Sequence, residues 1–111
     1  MIVIRANEHP DNSTFYTPNE SGIQLGFIVN KKGYKSQSHK HKKDGNEIVI
    51  ATKGKCRINF SDRNVEMDIG DIIIFDATEK HNIEMLEDFK GIIIKQGPYI
   101  SKGEDKIIYE K

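Results

Sequence analysis

Four residues of this 111-residue chain have types and spacing suited to holding a metal ion: His39, His41, Glu47 and His81. His39 and His41 are two positions apart, and on a β-strand such residues point to one face, so both imidazoles can reach one ion. Glu47 follows the Lys42 to Asn46 segment, which reads as a turn, so a hairpin returns its carboxylate beside the pair. His81 opens a later strand, which a barrel can place across from the first three. Imidazole nitrogen with carboxylate oxygen is a borderline-hard donor set suited to divalent Fe, Mn, Ni, Co or Zn. An ion preferring six ligands keeps two positions for water or substrate. The alternative for His39-Lys40-His41-Lys42-Lys43 is a solvated basic strand end.

Positioning four such groups requires short elements that fold back on one another. Isoleucine and other β-branched or aromatic residues fall in short runs separated by Gly, Asn, Asp and Lys, the pattern of strands and turns. Strands are expected near Ile2 to Arg5, Ile23 to Val29, Gln37 to His41, Glu47 to Thr52, Lys55 to Phe60, Asn64 to Asp68, Asp71 to Phe75, His81 to Met85, Gly91 to Gln96 and Lys106 to Tyr109. Asp44-Gly45-Asn46, Lys53-Gly54 and Ser61 to Asn64 carry turn chemistry. Strands at this spacing predict an all-β sandwich or barrel of antiparallel hairpins. Asn7 to Ser21, rich in Asn, Ser, Thr and Pro, reads as a loop or flap. The segment ending in Ile107-Ile108-Tyr109 is expected to pair with the N-terminal strand or with another subunit.

Length and composition set the outer limits. A chain this long builds one core, so residues 1–111 are expected to form a single domain. Lys plus Arg and Asp plus Glu each number 17, a balance that gives no sign of a nucleic acid or anionic membrane partner. Apolar runs such as Ile72 to Phe75 are far shorter than the ~20 residues of a membrane-spanning helix. The N-terminus lacks the features of a secretory signal, and Cys56 is the only cysteine, so a cytoplasmic protein without intrachain disulfides is expected.

The wider spacing carries a resemblance. Gly33, five residues, His39-x-His41, five residues, Glu47, six residues and Gly54 resemble the first motif of the cupin superfamily. Gly70, five residues, Asp76, one residue, Thr78, two residues and His81 resemble the second. The interval from His41 to Glu47 is slightly longer than the family's usual one, and the extra length is assigned to the Asp44-Gly45 turn. Asp76 and Thr78 stand where the family usually has Pro and Gly, and Met85 where Asn is common. The resemblance implies a double-stranded β-helix, or jelly-roll, barrel with His39, His41, Glu47 and His81 as ligands of one divalent transition metal. It also implies turns shaped by Gly33, Gly54 and Gly70, and a homodimer, for which the apolar outer residues Ile72, Ile74, Ile92 and Ile94 are candidates.

Strand alternation then outlines a pocket. An inward His39 brings Gln37, Glu47 brings Val49 and Ala51, and His81 brings Ile83 and Met85. Tyr34, Gln24, Gln37 and Gln96 are polar candidates for orienting a substrate, and Met85 is a wall candidate. Cys56 reads as a small apolar core group, since nothing nearby lowers its pKa. Thiol-oxidising cupins tend to lack the glutamate, so Glu47 argues against that branch by resemblance. The lysines around His41 offer attraction for an anion, or are simply a solvated hairpin end. Two functions follow for a small oxygen-rich ligand. One is an enzyme of isomerase, epimerase, lyase or Fe(II) dioxygenase type, with Glu47 also catalytic; the other is a non-catalytic module that binds or senses a sugar or organic acid.

Overall fold

The computed structural model describes residues 3–5, 11–16, 23–41, 45–96 and 106–108, with the backbone alone for 39–41 and 106–108. Its strands are β1 (Thr14–Tyr16), β2 (Ile23–Asn30), β3 (His39–His41), β4 (Asn46–Lys53), β5 (Cys56–Phe60), β6 (Asn64–Met67), β7 (Ile72–Asp76), β8 (His81–Met85), β9 (Phe89–Gln96) and β10 (Lys106–Ile108). They form two five-stranded sheets, ordered β1-β2-β9-β4-β7 and β10-β3-β8-β5-β6. Every pairing between these strands is antiparallel. This is the jelly-roll arrangement, and among the described residues there is no helix.

The period-two alternation places the core between the sheets. The first sheet contributes Ile28, Val49, Ala51, Phe75, Phe89 and Ile93, and the second contributes Cys56, Ile58, Met67 and Met85. Backbone register shows which inward residues are neighbours. Gln24 of β2, Lys95 of β9, Glu47 of β4 and Phe75 of β7 form one row across the first sheet. His39, His81 and Phe60 occupy one register row of the second.

The outer face of the first sheet is apolar as well. Leu25, Ile94, Ile48 and Ile74 make one register row, and Phe27, Ile92, Ile50 and Ile72 make the next. Ile72 and Ile74 are each 62% exposed. Strands β2, β4, β7 and β9 thus read as apolar on both faces, which is why their sequence lacks clean alternation.

Several expectations are corrected. Val3 to Arg5 form no strand, and Ile2 lies outside the described residues. Within the Asn7 to Ser21 segment, Thr14–Tyr16 is a strand paired with Leu25 to Phe27. Its β-branched and aromatic residues outweigh the turn-forming composition around them. Gln37 and Ser38 precede β3 rather than belonging to it. The C-terminal segment pairs through Lys106–Ile108 with β3, not with the N-terminus, while Tyr109 lies outside the described residues.

The Lys53-Gly54 turn illustrates how tightly the chain reverses. Gly54 has φ 75°, and a Cβ there would lie 2.0 Å from the Asp88 carbonyl oxygen. Both the left-handed backbone and the backbone contact exclude a side chain. Gly54→Ala should therefore destabilise the protein by about 2 kcal/mol or more, read as a lower midpoint in urea unfolding. An unchanged midpoint would remove the close approach as a constraint.

Candidate metal centre

Glu47 and His81 come from opposite sheets and meet inside the barrel. Their side chains are almost wholly buried, and Glu47 Oε2 lies 3.3 Å from His81 Nε2. The inward placement of Glu47 follows from its position on β4, where Val49 and Ala51 share its buried face. His81 begins β8, with Ile83 and Met85 continuing along the same inner side.

The orientation of the His81 ring is set by its other nitrogen. Nδ1 is 2.7 Å from the Glu79 carbonyl oxygen. A carbonyl only accepts, so Nδ1 carries the hydrogen and donates, and a neutral ring then presents a lone pair at Nε2. Two lone-pair-bearing atoms, Nε2 and Oε2, then face each other at contact distance. Such a pair is stable when a positive charge lies between or beside them, as a proton on the ring or as a cation bound by both. A ring nitrogen held by a backbone carbonyl, with the opposite nitrogen aimed at a carboxylate, is the arrangement a metal-ligating histidine uses.

Two aromatic rings enclose this histidine. Phe75 packs edge-on against it with centroids 4.7 Å apart, and Phe60 lies 6.3 Å away. The two phenylalanines meet each other at 5.2 Å. Arg63 covers the outside of Phe60, its guanidinium 4.3 Å from the ring centroid, and pairs with Glu79 at 3.1 Å. Arg63 thereby ties the turn that supplies the Glu79 carbonyl to the wall around His81.

That turn also accounts for Asp76 and Thr78. Asp76 Oδ1 accepts from the Thr78 hydroxyl at 2.7 Å and from the Thr78 amide at 2.9 Å. These bonds, the hydroxyl first, hold the Asp76 carboxylate below its usual range. The Glu79 amide closes the turn on the Asp76 carbonyl at 3.0 Å, and the Ala77 amide bonds the Gly45 carbonyl at 3.0 Å. A hydrogen-bonded Asp turn delivers His81 where the related motif uses Pro and Gly.

The chain enters β3 pinned to β8. The Ser36 amide donates to the Ile83 carbonyl, and the Ser36 hydroxyl accepts from the Ile83 amide, both at 2.9 Å. The Asn82 side chain reaches Ser38 Oγ at 3.5 Å. This clamp leads into the register that puts His39 opposite His81. His41 stands two positions further on β3, and the side chains of both residues lie outside the described set. Among the residues whose side chains are described, no group of three or more His, Cys, Asp and Glu is placed to hold a metal.

The other pocket candidates divide. Gln24 is half-buried in the same register row as Glu47, while Gln96 is exposed at the end of β9. Gln37 is exposed rather than inward, because the segment before β3 does not continue the strand and buries Ser38 instead. Met85 is buried, but it lies four residues from His81, roughly 13 Å along β8. Tyr34 is at that same far end, its carbonyl accepting from the Met85 amide at 2.8 Å. It lines a cleft of about 430 Å³ with Asn30, Lys53 and Asp88, which removes it from the Glu47 pocket. Sequence reasoning missed Phe60, Phe75, Glu79 and Lys95, whose proximity arises from pairing between distant strands. In the sequence, Phe60, Phe75 and Lys95 stand at or next to the last residue of their strands, and Glu79 stands two residues before His81.

This fold matches a known class. The family model described as the cupin domain matches residues 26–94, and the chain belongs to the cupin family. No protein of curated function matches its sequence. Among solved structures, an RmlC-like cupin protein from Desulfovibrio desulfuricans superposes with TM-score 0.68 at 13% identity, covering 87% of this chain and 92% of that one. Ectoine synthase from P. lautus superposes with TM-score 0.70 at 17% identity, covering 98% and 90%. The Cupin_2 domain of an XRE family transcriptional regulator from Enterobacter cloacae gives 0.69 at 13%, covering 78% and 96%. Likeness at these identities concerns the fold.

Cys56 lies within the core, and its burial pushes the thiol up from 9.0 to about 11. The native thiol stays protonated where the unfolded thiol ionises, so this group's contribution to stability is full below pH 9 and falls between pH 9 and 11. Cys56 should accordingly resist a thiol-specific reagent at pH 8 and react fully once urea unfolds the protein. Rapid labelling of the native chain would contradict this.

Proposed function

We propose that residues 1–111 form one cytoplasmic cupin domain that binds a divalent metal through His39, His41, Glu47 and His81 and acts as an enzyme on a small oxygen-rich molecule. The observation that carries this reading is the buried approach of Glu47 to His81 with His81 Nδ1 committed to a carbonyl. The register of His39 with His81 supports adding the His39-x-His41 pair to the same site. The donor set suits Fe, Mn, Ni, Co or Zn in the divalent state. Such an ion would supply polarisation of a carbonyl or enediol oxygen, or as Fe(II) access to O₂ chemistry.

The chain's own residues have separable tasks. Glu79 fixes the His81 tautomer, and Phe60 and Phe75 keep water from the ring. Glu47, the one carboxylate at the pocket's inner row, is assigned proton transfer with substrate as well as metal ligation. The neighbouring folds include a synthase and a domain of a transcriptional regulator, so the fold does not select between turnover and binding.

Metal content tests the site. Protein prepared without added metal or a metal-binding tag should carry about one divalent ion per chain, and His41→Ala and His81→Ala should each weaken metal binding by more than about tenfold. Occupancy should fall below about pH 6 as protons compete for imidazole nitrogen, whose reference pKa is ~6.5. Full occupancy in both variants, or at pH 4.5, would refute the ligand set.

Turnover tests the enzyme. Protein loaded separately with Fe(II), Mn(II), Ni(II) or Zn(II) should convert a sugar, sugar phosphate, keto acid or catechol-like compound, followed by mass spectrometry, NMR and oxygen uptake. Glu47→Gln should abolish conversion while metal remains bound. Metal-dependent binding without a new product under any of these conditions would instead make the protein a binding module.

We further assign the isoleucine-rich outer face of the first sheet, exposed at Ile72 and Ile74 and half-buried across the other three strands, to a homodimer interface, since an apolar face of this kind marks an association surface. Light scattering at tens of micromolar should give twice the chain mass, and Ile74→Lys should give monomers. A monomeric wild type would overturn the assignment.

A further inference from the structure

We propose that the cleft of about 430 Å³ that carries Tyr34 is a second binding site, separate from Glu47 and His81, for the phosphate monoester of a small polyhydroxyl molecule such as a sugar. This site does not depend on the metal centre. Glu47 stands near the start of β4 and Lys53 ends it, so the two places lie roughly 20 Å apart along that strand. Register sets two ammonium groups side by side in the cleft. Val29 of β2, Lys90 of β9 and Lys53 of β4 form one row across the first sheet. The register of β4 shifts between Ala51 and Lys53, which passes over Thr52 and brings Lys53 opposite Lys90. The Thr52 hydroxyl donates to the Lys90 carbonyl at 3.1 Å and holds this irregularity in place. Irregularities of this kind re-aim side chains, and like charges directly opposite each other are a destabilising pairing that a shared anion relieves.

The carboxylates of the cleft, Asp11 and Asp88, leave that pair of lysines available. Asp88 is committed to the neighbouring turn, accepting from the Lys32 amide at 2.9 Å and pairing with the Lys31 ammonium at 3.9 Å. The amide bond first, and the Lys31 and Lys53 charges after it, hold the Asp88 carboxylate below its usual range. Among the described residues, no carboxylate lies within ion-pairing distance of Lys53 or Lys90. With Lys31, the cleft carries three ammonium groups against two carboxylates. A phosphate monoester, with close to two negative charges and three acceptor oxygens, suits a position between Lys53 and Lys90. The remaining walls suit hydroxyl groups: the Asn30 amide donates and accepts, the exposed Asp11 carboxylate accepts, and Tyr34, 47% exposed, offers a ring and a hydroxyl. The turn carrying Tyr34 is fixed, since its amide donates to the Lys31 carbonyl at 3.1 Å and the Gly33 amide to the Met85 carbonyl at 2.9 Å. A preformed concavity of this size is ordinary for a small-molecule site.

The competing role for Lys53 and Lys90 is that of solvated surface charges, which select no ligand. Metal-free protein labelled with ¹⁵N separates the two roles when titrated with ribose 5-phosphate, glucose 6-phosphate and glycerol 3-phosphate, alongside ribose, glucose, glycerol and inorganic phosphate. At least one monoester should saturate the protein, with amide shifts centred on Lys53, Lys90 and Tyr34. It should bind at least about tenfold more tightly than its unphosphorylated counterpart and than inorganic phosphate. Changing both lysines, Lys53→Gln with Lys90→Gln, should weaken that binding by at least about tenfold, and Lys53→Arg with Lys90→Arg should retain it. The absence of saturable binding by every monoester would overturn the proposal. So would affinity no greater than that of inorganic phosphate, or affinity that survives the glutamine pair. Shifts centred on the strand ends that carry Glu47 and His81 would move the ligand to the other site and overturn it as well. Because the titrations need no metal, a failure of the four-residue ligand set leaves their outcome readable.

Discussion

A carboxylate and an imidazole from opposite sheets are withdrawn from water and brought into contact, and the organisation of the barrel follows from what that contact demands. Glu47 and His81 approach to 3.3 Å with almost no exposed surface. Removing such groups from water is unfavourable unless they are paired and hydrogen-bonded. Compensation is local: the Glu79 carbonyl accepts from His81 Nδ1, and the ring is packed by Phe60 and Phe75. A histidine held at one nitrogen and enclosed by aromatic rings keeps its orientation, which a ligand to a metal or a substrate requires.

The turn before β8 shows how one structural task can be done with different residues. Delivering His81 requires the chain to reverse after Phe75 and to aim the Glu79 carbonyl at the imidazole. The two bonds from Thr78 to the Asp76 carboxylate, together with the Ala77 bond to Gly45, hold that reversal. Arg63 adds a tie from outside by pairing with Glu79 while lying over Phe60. The departures at Asp76 and Thr78 therefore preserve the placement of His81, because the turn's geometry rather than its residue identity is what the site needs.

The first sheet serves two surfaces at once. Its inner rows run from polar at one end, with Gln24, Lys95 and Glu47, to apolar further in, with Ile93, Val49 and Ile73. Its outer rows are apolar across four strands. An isoleucine-rich strand satisfies both demands, since β-branched side chains pack well on either side of a pleated sheet.

The β class, the inward set of β4 and the places of Glu47 and His81 on inward strand faces were legible in the sequence by itself, because strand period and turn residues are local properties. Thr14–Tyr16 was hidden by the turn-rich residues around it, and the strand expected over Ile2 to Arg5 is not formed at Val3 to Arg5, because short segments take their state from available pairing partners. Only the tertiary structure brought Phe60 and Phe75 to His81, aligned Lys95 and Gln24 with Glu47, and carried Tyr34 to the far end of β8. Each of those relations depends on register between strands far apart in the chain, and a shift of one residue would turn every inward side chain outward.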